Sequence, residues 1–229
     1  MRAAGLRRLG VVLRRLHCPA DQEPLWPAVA AVLVILALQL TLAERLTVGP
    51  NWLAPVLEVA LLLPFTLAAA RHRLRETAPT RLYNLSLIGL VNVFNLLSLV
   101  LLIQALLYGR AADGVGLLEN AVKLWVTNLT GFALLYWELD RGGPWRRRLN
   151  AARQPDFLFP QMTLPGQSDR AWRPDFADYL FVSFTNAAAF SPTDTLPLTG
   201  RMKLLMMVQA FISLLTVALV ASRAVNILK

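Results

Sequence analysis

Four long apolar runs separated by short polar links occupy the first part of the chain. Each run has close to the ~20 residues that an α-helix needs to cross the hydrocarbon core of a membrane. Each also has a tryptophan or tyrosine near one end, where the membrane interface favours these side chains. The links at 47–51 and 109–116 are short, so the spans that they join are predicted to form antiparallel hairpins. The predicted spans are 26–46, 52–70, 83–108 and 117–137.

A fifth apolar stretch is shorter and is broken by prolines. Residues 176–190 are compatible with a helix, but Pro192 and Pro197 prevent its continuation. A helix of this length spans about 22 Å at ~1.5 Å per residue, which is less than the ~30 Å hydrocarbon core. Non-helical backbone at membrane depth is tolerated only where protein shields it or where it lines water. The pattern therefore predicts a re-entrant half-helix, and the alternative is a complete span over 176–198 with a frayed end.

Helical spacing of apolar residues also predicts a helix near each end of the chain. Leu6, Leu9 and Leu13 share one face of an arginine-rich N-terminal segment, which is typical of a helix lying on a membrane surface. A targeting presequence is the alternative interpretation of that segment. A last transmembrane helix is predicted from Met202 to about Leu228.

Together these elements predict an all-α polytopic membrane protein. It has five transmembrane helices plus a re-entrant half-helix, or else six spans, and an N-terminal amphipathic interfacial helix precedes them. The predicted regions are a basic amphipathic arm (1–24), a four-helix transmembrane region (25–138), a basic cytoplasmic loop (139–175), and a pore-like unit of re-entrant helix, polar turn and final transmembrane helix (176–229).

Arginine placement predicts the orientation in the membrane. Sixteen arginines lie in the N-terminal arm, in the link between the second and third spans and in the 139–175 segment, against only Arg45 and Arg110 on the opposite side. Cytoplasmic segments are enriched in arginine, so the N-terminus and the 139–175 segment are predicted to be cytoplasmic in a multi-pass plasma-membrane protein. The net charge of +9 lies beside apolar spans, which favours anionic lipid headgroups over nucleic acid as its partner.

The sequence has few residues with the chemistry of a catalytic or metal site. A single cysteine, Cys18, excludes an internal disulfide, and two distant histidines are a poor start for a metal site. The sequence contains neither a phosphate-binding glycine loop nor a convincing Ser–His–Asp arrangement. We therefore expect no enzymatic activity and no cofactor.

One carboxylate lies well inside a predicted span. Glu58 belongs to the second apolar run, and an intramembrane carboxylate is costly enough to be a functional candidate. It would relay protons or bind a cation. A protonated or paired structural glutamate is the alternative.

The polar turn after the half-helix is the main candidate for a functional site. In an oligomer Asp194 would form an acidic ring that favours cations, whereas a turn or capping role is the alternative. The last helix has a polar stripe of Gln209, Ser213 and Thr216, which would line a water-filled path or mediate helix packing. The pore and filter candidates are Thr185, Asn186, Phe190, Ser191, Pro192, Thr193, Asp194 and Thr199.

The order of elements around this turn resembles the pore module of potassium-type channels. The shared order is an apolar half-helix, a polar turn, D-x-x-P-x-T, a basic residue and a long helix. Asp194, Pro197 and Thr199 match, and residues 189–193 (AFSPT) fall on the selectivity filter. The resemblance implies a homo-oligomer around a pore. Both filter glycines and the tyrosine are absent, so potassium selectivity is not implied, because those glycines let backbone carbonyls point inward.

From Trp125 onward the chain also resembles a family of uncharacterised multi-pass bacterial membrane proteins. The features that carry this resemblance are LLYWELDRGGP, FLFPQM, DYLFVSFTNAAAFSPTD and SRAVNIL. It implies no activity. The predicted function is a channel-like homo-oligomeric pore for a monovalent cation. The alternatives are a non-conducting membrane scaffold or assembly protein of pore-like fold, and a proton-coupled transporter that uses Glu58.

Overall fold

A computed structural model describes residues 26–43, 46–47, 78–108, 114–149, 154–164, 172–189, 191 and 194–227, together with the single positions 50, 52, 56 and 59. The predicted N-terminal arm and most of the predicted second span, including Glu58, lie outside the described residues. So do the pore candidates Phe190, Pro192 and Thr193.

The described chain is mostly helical, as predicted. Two strands of two residues each form an antiparallel ribbon in which Phe157 lies opposite Pro197. Short 3₁₀ turns cover Asp140–Gly142 and Pro160–Met162. The helices are α1 (Trp26–Leu40), α2 (Ala78–Leu107), α3 (Gly114–Leu139), α4 (Pro144–Leu149), α5 (Phe176–Ala188) and α6 (Gly200–Ile227), and the strands are β1 (Phe157–Leu158) and β2 (Leu196–Pro197).

Two of the described helices are long and apolar enough to cross a membrane. They are Arg81–Leu106 within α2 and Gly200–Ser222 within α6, with mean hydropathies of 2.3 and 2.4. Helix α1 is apolar but has 15 residues. Helix α3 is long, but it includes Glu119, Lys123 and several buried polar side chains. By length and composition these two helices are consistent with a membrane protein, and they do not test the predicted count of five spans.

Helix α3 lies at the centre of the bundle, and α1, α2, α5 and α6 all pack against it. Its buried polar residues, such as Asn128 and Thr127, therefore lie within the bundle. The approach to α2 is close at Gly131, where a Cβ atom would lie 2.9 Å from the Asn92 Oδ1 atom. A larger residue at position 131 would require the Asn92 side chain to move.

Helix α5 forms the entering leg of a loop beside α3, and residues 194–201 form its return leg. The Phe176 ring packs on Trp137 near the C-terminal end of α3, with 6.0 Å between ring centroids. Phe184 reaches Trp125, about three turns further along α3. The chain then returns to the C-terminal end of α3, because the Arg201 guanidinium donates to the Leu139 carbonyl. Both legs of the loop therefore meet the same end of α3.

Residues 176–198 do not form one continuous helix. Helix α5 has 13 residues and covers about 20 Å. It ends at Ala188, and the return leg contains β2, which pairs with β1. Both positions were expected from the sequence, since a proline at position 192 disfavours a helix that continues through it, and Pro197 lies in a two-stranded ribbon, where its missing N–H is tolerated.

Helix α6 runs antiparallel to α3 from the common end of the loop. Its Gln209 meets Tyr136, its Ser213 meets Asn128, and its Leu219 lies with Leu117 around a small apolar cavity. The C-terminal part of α6 therefore lies at the end of α3 opposite to the two legs of the loop.

Candidate functional site

Local sequence determines where helix α5 starts. The Asp175 carboxylate accepts hydrogen bonds from the N–H groups of Ala177 and Asp178, at 2.9 and 3.2 Å. The Asp178 carboxylate in turn accepts from the Asp175 N–H at 2.8 Å. This reciprocal capping box satisfies N–H groups that the helix itself leaves unpaired, and its carboxylates suit the positive end of the helix dipole. The half-helix therefore has a defined start at Phe176.

A buried polar network joins α5 to α3 and α6. The Gln209 Oε1 atom accepts from the Tyr136 hydroxyl at 2.6 Å and from Asn186 Nδ2 at 2.8 Å. Its Nε2 atom donates to Ser183, to Oγ at 2.6 Å and to the carbonyl at 3.0 Å. The Ser183 hydroxyl donates to the Leu129 carbonyl of α3 at 2.6 Å. Gln209 is fully buried. Its amide links its own helix, α6, to α3 and to α5.

The predicted polar stripe of α6 lies inside one subunit. Gln209, Ser213 and Thr216 are all essentially inaccessible to solvent. Ser213 accepts a hydrogen bond from Asn128 Nδ2 at 2.9 Å, and the Thr216 hydroxyl donates to the Ile212 carbonyl of its own helix. These contacts match the helix-packing interpretation of the stripe and not the lining of a water-filled path.

The predicted filter residues separate into a buried and an exposed set. Asn186 belongs to the buried network, and the Thr185 hydroxyl is within 3.0 Å of the carbonyls of Phe181 and Val182 in its own helix. Ser191 and Asp194, beyond the end of α5, are exposed. Among the filter candidates that the structure describes, only Ser191 and Asp194 are exposed to solvent.

The return leg is fastened by a buried carboxylate that the sequence did not single out. Asp156 Oδ1 accepts from the Thr199 hydroxyl at 2.9 Å and from Arg201 Nε at 3.0 Å. Its Oδ2 atom accepts from the Arg141 N–H at 2.9 Å and from Arg201 Nη2. Thr199 is thus a hydrogen-bond donor to this carboxylate, and it is half-buried.

Four donors around Asp156 keep it ionised. Burial alone would raise the pKa of its carboxyl. The hydrogen bonds from Arg201, from the Arg141 N–H and from Thr199, together with the Arg201 charge, outweigh burial, so the pKa lies below its ordinary value. At neutral pH the carboxylate can therefore accept the hydrogen bonds of Thr199 and Arg201.

A second buried carboxylate holds the entering leg. Asp140, at the end of α3, accepts the Tyr179 hydroxyl of α5 on Oδ2 at 2.6 Å and the Asp156 N–H on Oδ1 at 2.8 Å. The chain reverses here through three residues of positive φ, Arg141 at 52°, Gly142 at 90° and Gly143 at 98°. Glycine favours this conformation, which explains the Gly142–Gly143 pair.

Aromatic residues fill the space between the two legs. Phe157 and Phe159 are buried, and the Phe159 ring lies 5.4 Å from Tyr179 and 5.7 Å from Trp172 between centroids. Phe157 also packs edge-on against Tyr136. The alternation in Phe-Leu-Phe was the available signal for a short strand with one buried face. Residues 157–159 therefore pack into the protein core.

Comparison with known proteins gives no match to a family model, to a curated protein sequence or to a solved structure. Within the part of the chain that the structure describes, no three histidine, cysteine, aspartate or glutamate residues are grouped as metal ligands.

Proposed function

We propose that this protein is a subunit of a homo-oligomeric membrane pore for monovalent cations, with the turn of the re-entrant loop as its lining. The observation that supports this proposal is the exposure of the turn. Ala188, Ala189, Ser191 and Asp194 are exposed on a single chain. Backbone that leaves a helix at membrane depth cannot face lipid, so it faces water or another protein surface. A pore shared between copies supplies both.

The charge of the turn favours cations. Asp194 follows the C-terminal end of α5, and the last carbonyls of a helix carry the negative end of its dipole. An acidic side chain repeated in each copy adds to that potential. The missing filter glycines argue for selection by charge and not for a carbonyl cage specific for potassium.

The remaining features of the proposal concern the membrane. We place the protein in the plasma membrane with five spans plus the loop, and with the N-terminus and the loop mouths on the cytoplasmic side. Exposed Arg146, Arg173 and Lys203 lie in the segments at the C-terminal end of α3 or at the start of α6. At that level they would meet anionic lipid headgroups.

The buried network favours a second candidate, a non-conducting scaffold or assembly protein of pore-like fold. In the structure Gln209, Asn186 and Ser213 hold helices together within one chain. A protein that needs only a rigid loop to present to a partner would use them in the same way.

Ion flux separates the two candidates. The purified protein is reconstituted into liposomes, and the influx of K⁺, Na⁺ and Cl⁻ is measured against protein-free liposomes. The pore proposal predicts cation flux that rises with the amount of protein and exceeds Cl⁻ flux. If protein shown to be folded by circular dichroism passes no small ion, the scaffold is the better account.

A further inference from the structure

Two adjacent carboxylates connect the entering leg of the loop to its return leg. Tyr179 of α5 donates to Asp140, and Asp140 accepts the N–H of Asp156. Asp156 accepts from Thr199 and Arg201 through its carboxylate, and from the Leu198 N–H through its carbonyl at 2.8 Å. A continuous path of hydrogen bonds therefore runs from one leg to the other.

We propose that Asp156 is the positioning residue of the re-entrant loop, whose carboxylate sets the place of the exposed turn by holding Thr199 and Arg201 at the end of α3. Any effect of Asp156 on ion conduction rests on the proposed function, because that function takes the turn as the pore lining.

The ribbon is too short to position the turn by itself. It has two residue pairs, and Leu196 and Leu198 are exposed. An isolated two-stranded hairpin is marginal in stability even when it is longer. The Asp156–Arg201 pair has stronger geometry, since the guanidinium binds both carboxylate oxygens and the Asp156 side chain is 4% exposed. Only four residues separate Asp194 from Thr199, so a displaced Thr199 displaces the turn.

The test measures where the turn lies, independently of conduction. In a Cys18→Ser background, Ala189→Cys places a thiol at the exposed end of α5, and a membrane-impermeant thiol reagent is applied to vesicles. Asp156→Asn is expected to change the labelling rate by about tenfold, the population shift expected from losing one charge-assisted hydrogen bond. Adding Arg201→Gln to Asp156→Asn is expected to change the rate little further, because the charge-assisted bond between the two side chains is already lost in the single variant.

A matched control and a second variant keep this test decisive. Glu119→Gln also converts a carboxylate to an amide in an ion pair with Lys123, but its side chain is 64% exposed and lies at the other end of α3; it should leave labelling unchanged. Folded Asp156→Asn protein with an unchanged rate would overturn the inference. If Asp156→Asn does not fold, Thr199→Val removes one donor, and an unchanged rate there would overturn it equally.

The same samples separate the inference from the proposed function. A permeability ratio for K⁺ over Cl⁻ that changes in Asp156→Asn, and changes little further in the double variant, supports both. A different result is that the unmodified protein passes no ion in liposomes while the labelling changes occur as expected. That result would end the pore proposal and would leave Asp156 as the positioning residue of the loop.

Discussion

Replacing Gln209 with leucine is expected to lower the free energy of unfolding by about 2–3 kcal/mol, because it leaves the buried Tyr136 hydroxyl without its acceptor. Asn186 keeps its bond to the Met206 carbonyl and Ser183 its bond to the Leu129 carbonyl, which limits the loss. Leucine has nearly the volume of glutamine, so the change tests the hydrogen bonds more than the packing.

Unfolding in mixed micelles with increasing denaturing detergent, followed by circular dichroism, measures this loss. Gln104→Leu is the matched control, since Gln104 is exposed on α2 and its replacement should change stability by less than about 0.5 kcal/mol. Tyr136→Phe in the Gln209→Leu background should cost little further, because both partners of the bond are then gone. Equal stability of Gln209→Leu and the unmodified protein would show that the network does not hold the half-helix.

Replacing Asp194 with lysine is expected to lower the permeability ratio of K⁺ to Cl⁻ on the order of tenfold or more. Each copy would then present a positive charge in place of a negative one, and a change of two unit charges at ~4 Å in water corresponds to about 2 kcal/mol. Asp194→Asn should give an intermediate ratio. Higher salt should reduce the difference, because the side chain is exposed.

Reversal potentials across a planar bilayer in asymmetric KCl give this ratio directly. Glu119→Gln is the control for Asp194→Asn, since it removes one exposed carboxylate at the opposite end of α3. Identical reversal potentials for the unmodified protein, Asp194→Asn and Asp194→Lys would remove Asp194 from the conduction path, even if ions pass.

Features encoded by neighbouring residues were predictable from the sequence. Pro192 and Pro197 follow an apolar stretch too short to span a membrane, and they predicted a helix that ends before Pro192; the structure ends α5 at Ala188, two residues before the predicted end. The long helix from Gly200 was predictable because its apolar run is uninterrupted. The steps between Gln209, Ser213 and Thr216 placed them on one face of that helix.

Features that depend on distant parts of the chain were not predictable. A stripe that lines a water-filled path and a stripe that packs against other helices have the same spacing on α6. Only the positions of Tyr136, Asn186 and Asn128 show that protein covers the stripe. Asp156 had no local signal, because its partners Thr199 and Arg201 lie more than 40 residues further along the chain. The Phe-Leu-Phe alternation is a local signal for a strand at residues 157–158, but its pairing with Leu196 and Pro197 had no local signal.

The central claim is that the chain enters and leaves the bundle at the same end of α3, and membrane topology tests it most directly. A reporter whose activity depends on the side of the membrane is inserted between Gln167 and Ser168, and in a second protein it is fused after Lys229. A re-entrant loop followed by the single span of α6 predicts that the two reporters lie on opposite sides of the membrane. Reporters on the same side would mean that 176–198 crosses the membrane completely, which would contradict the re-entrant loop and the pore built on it.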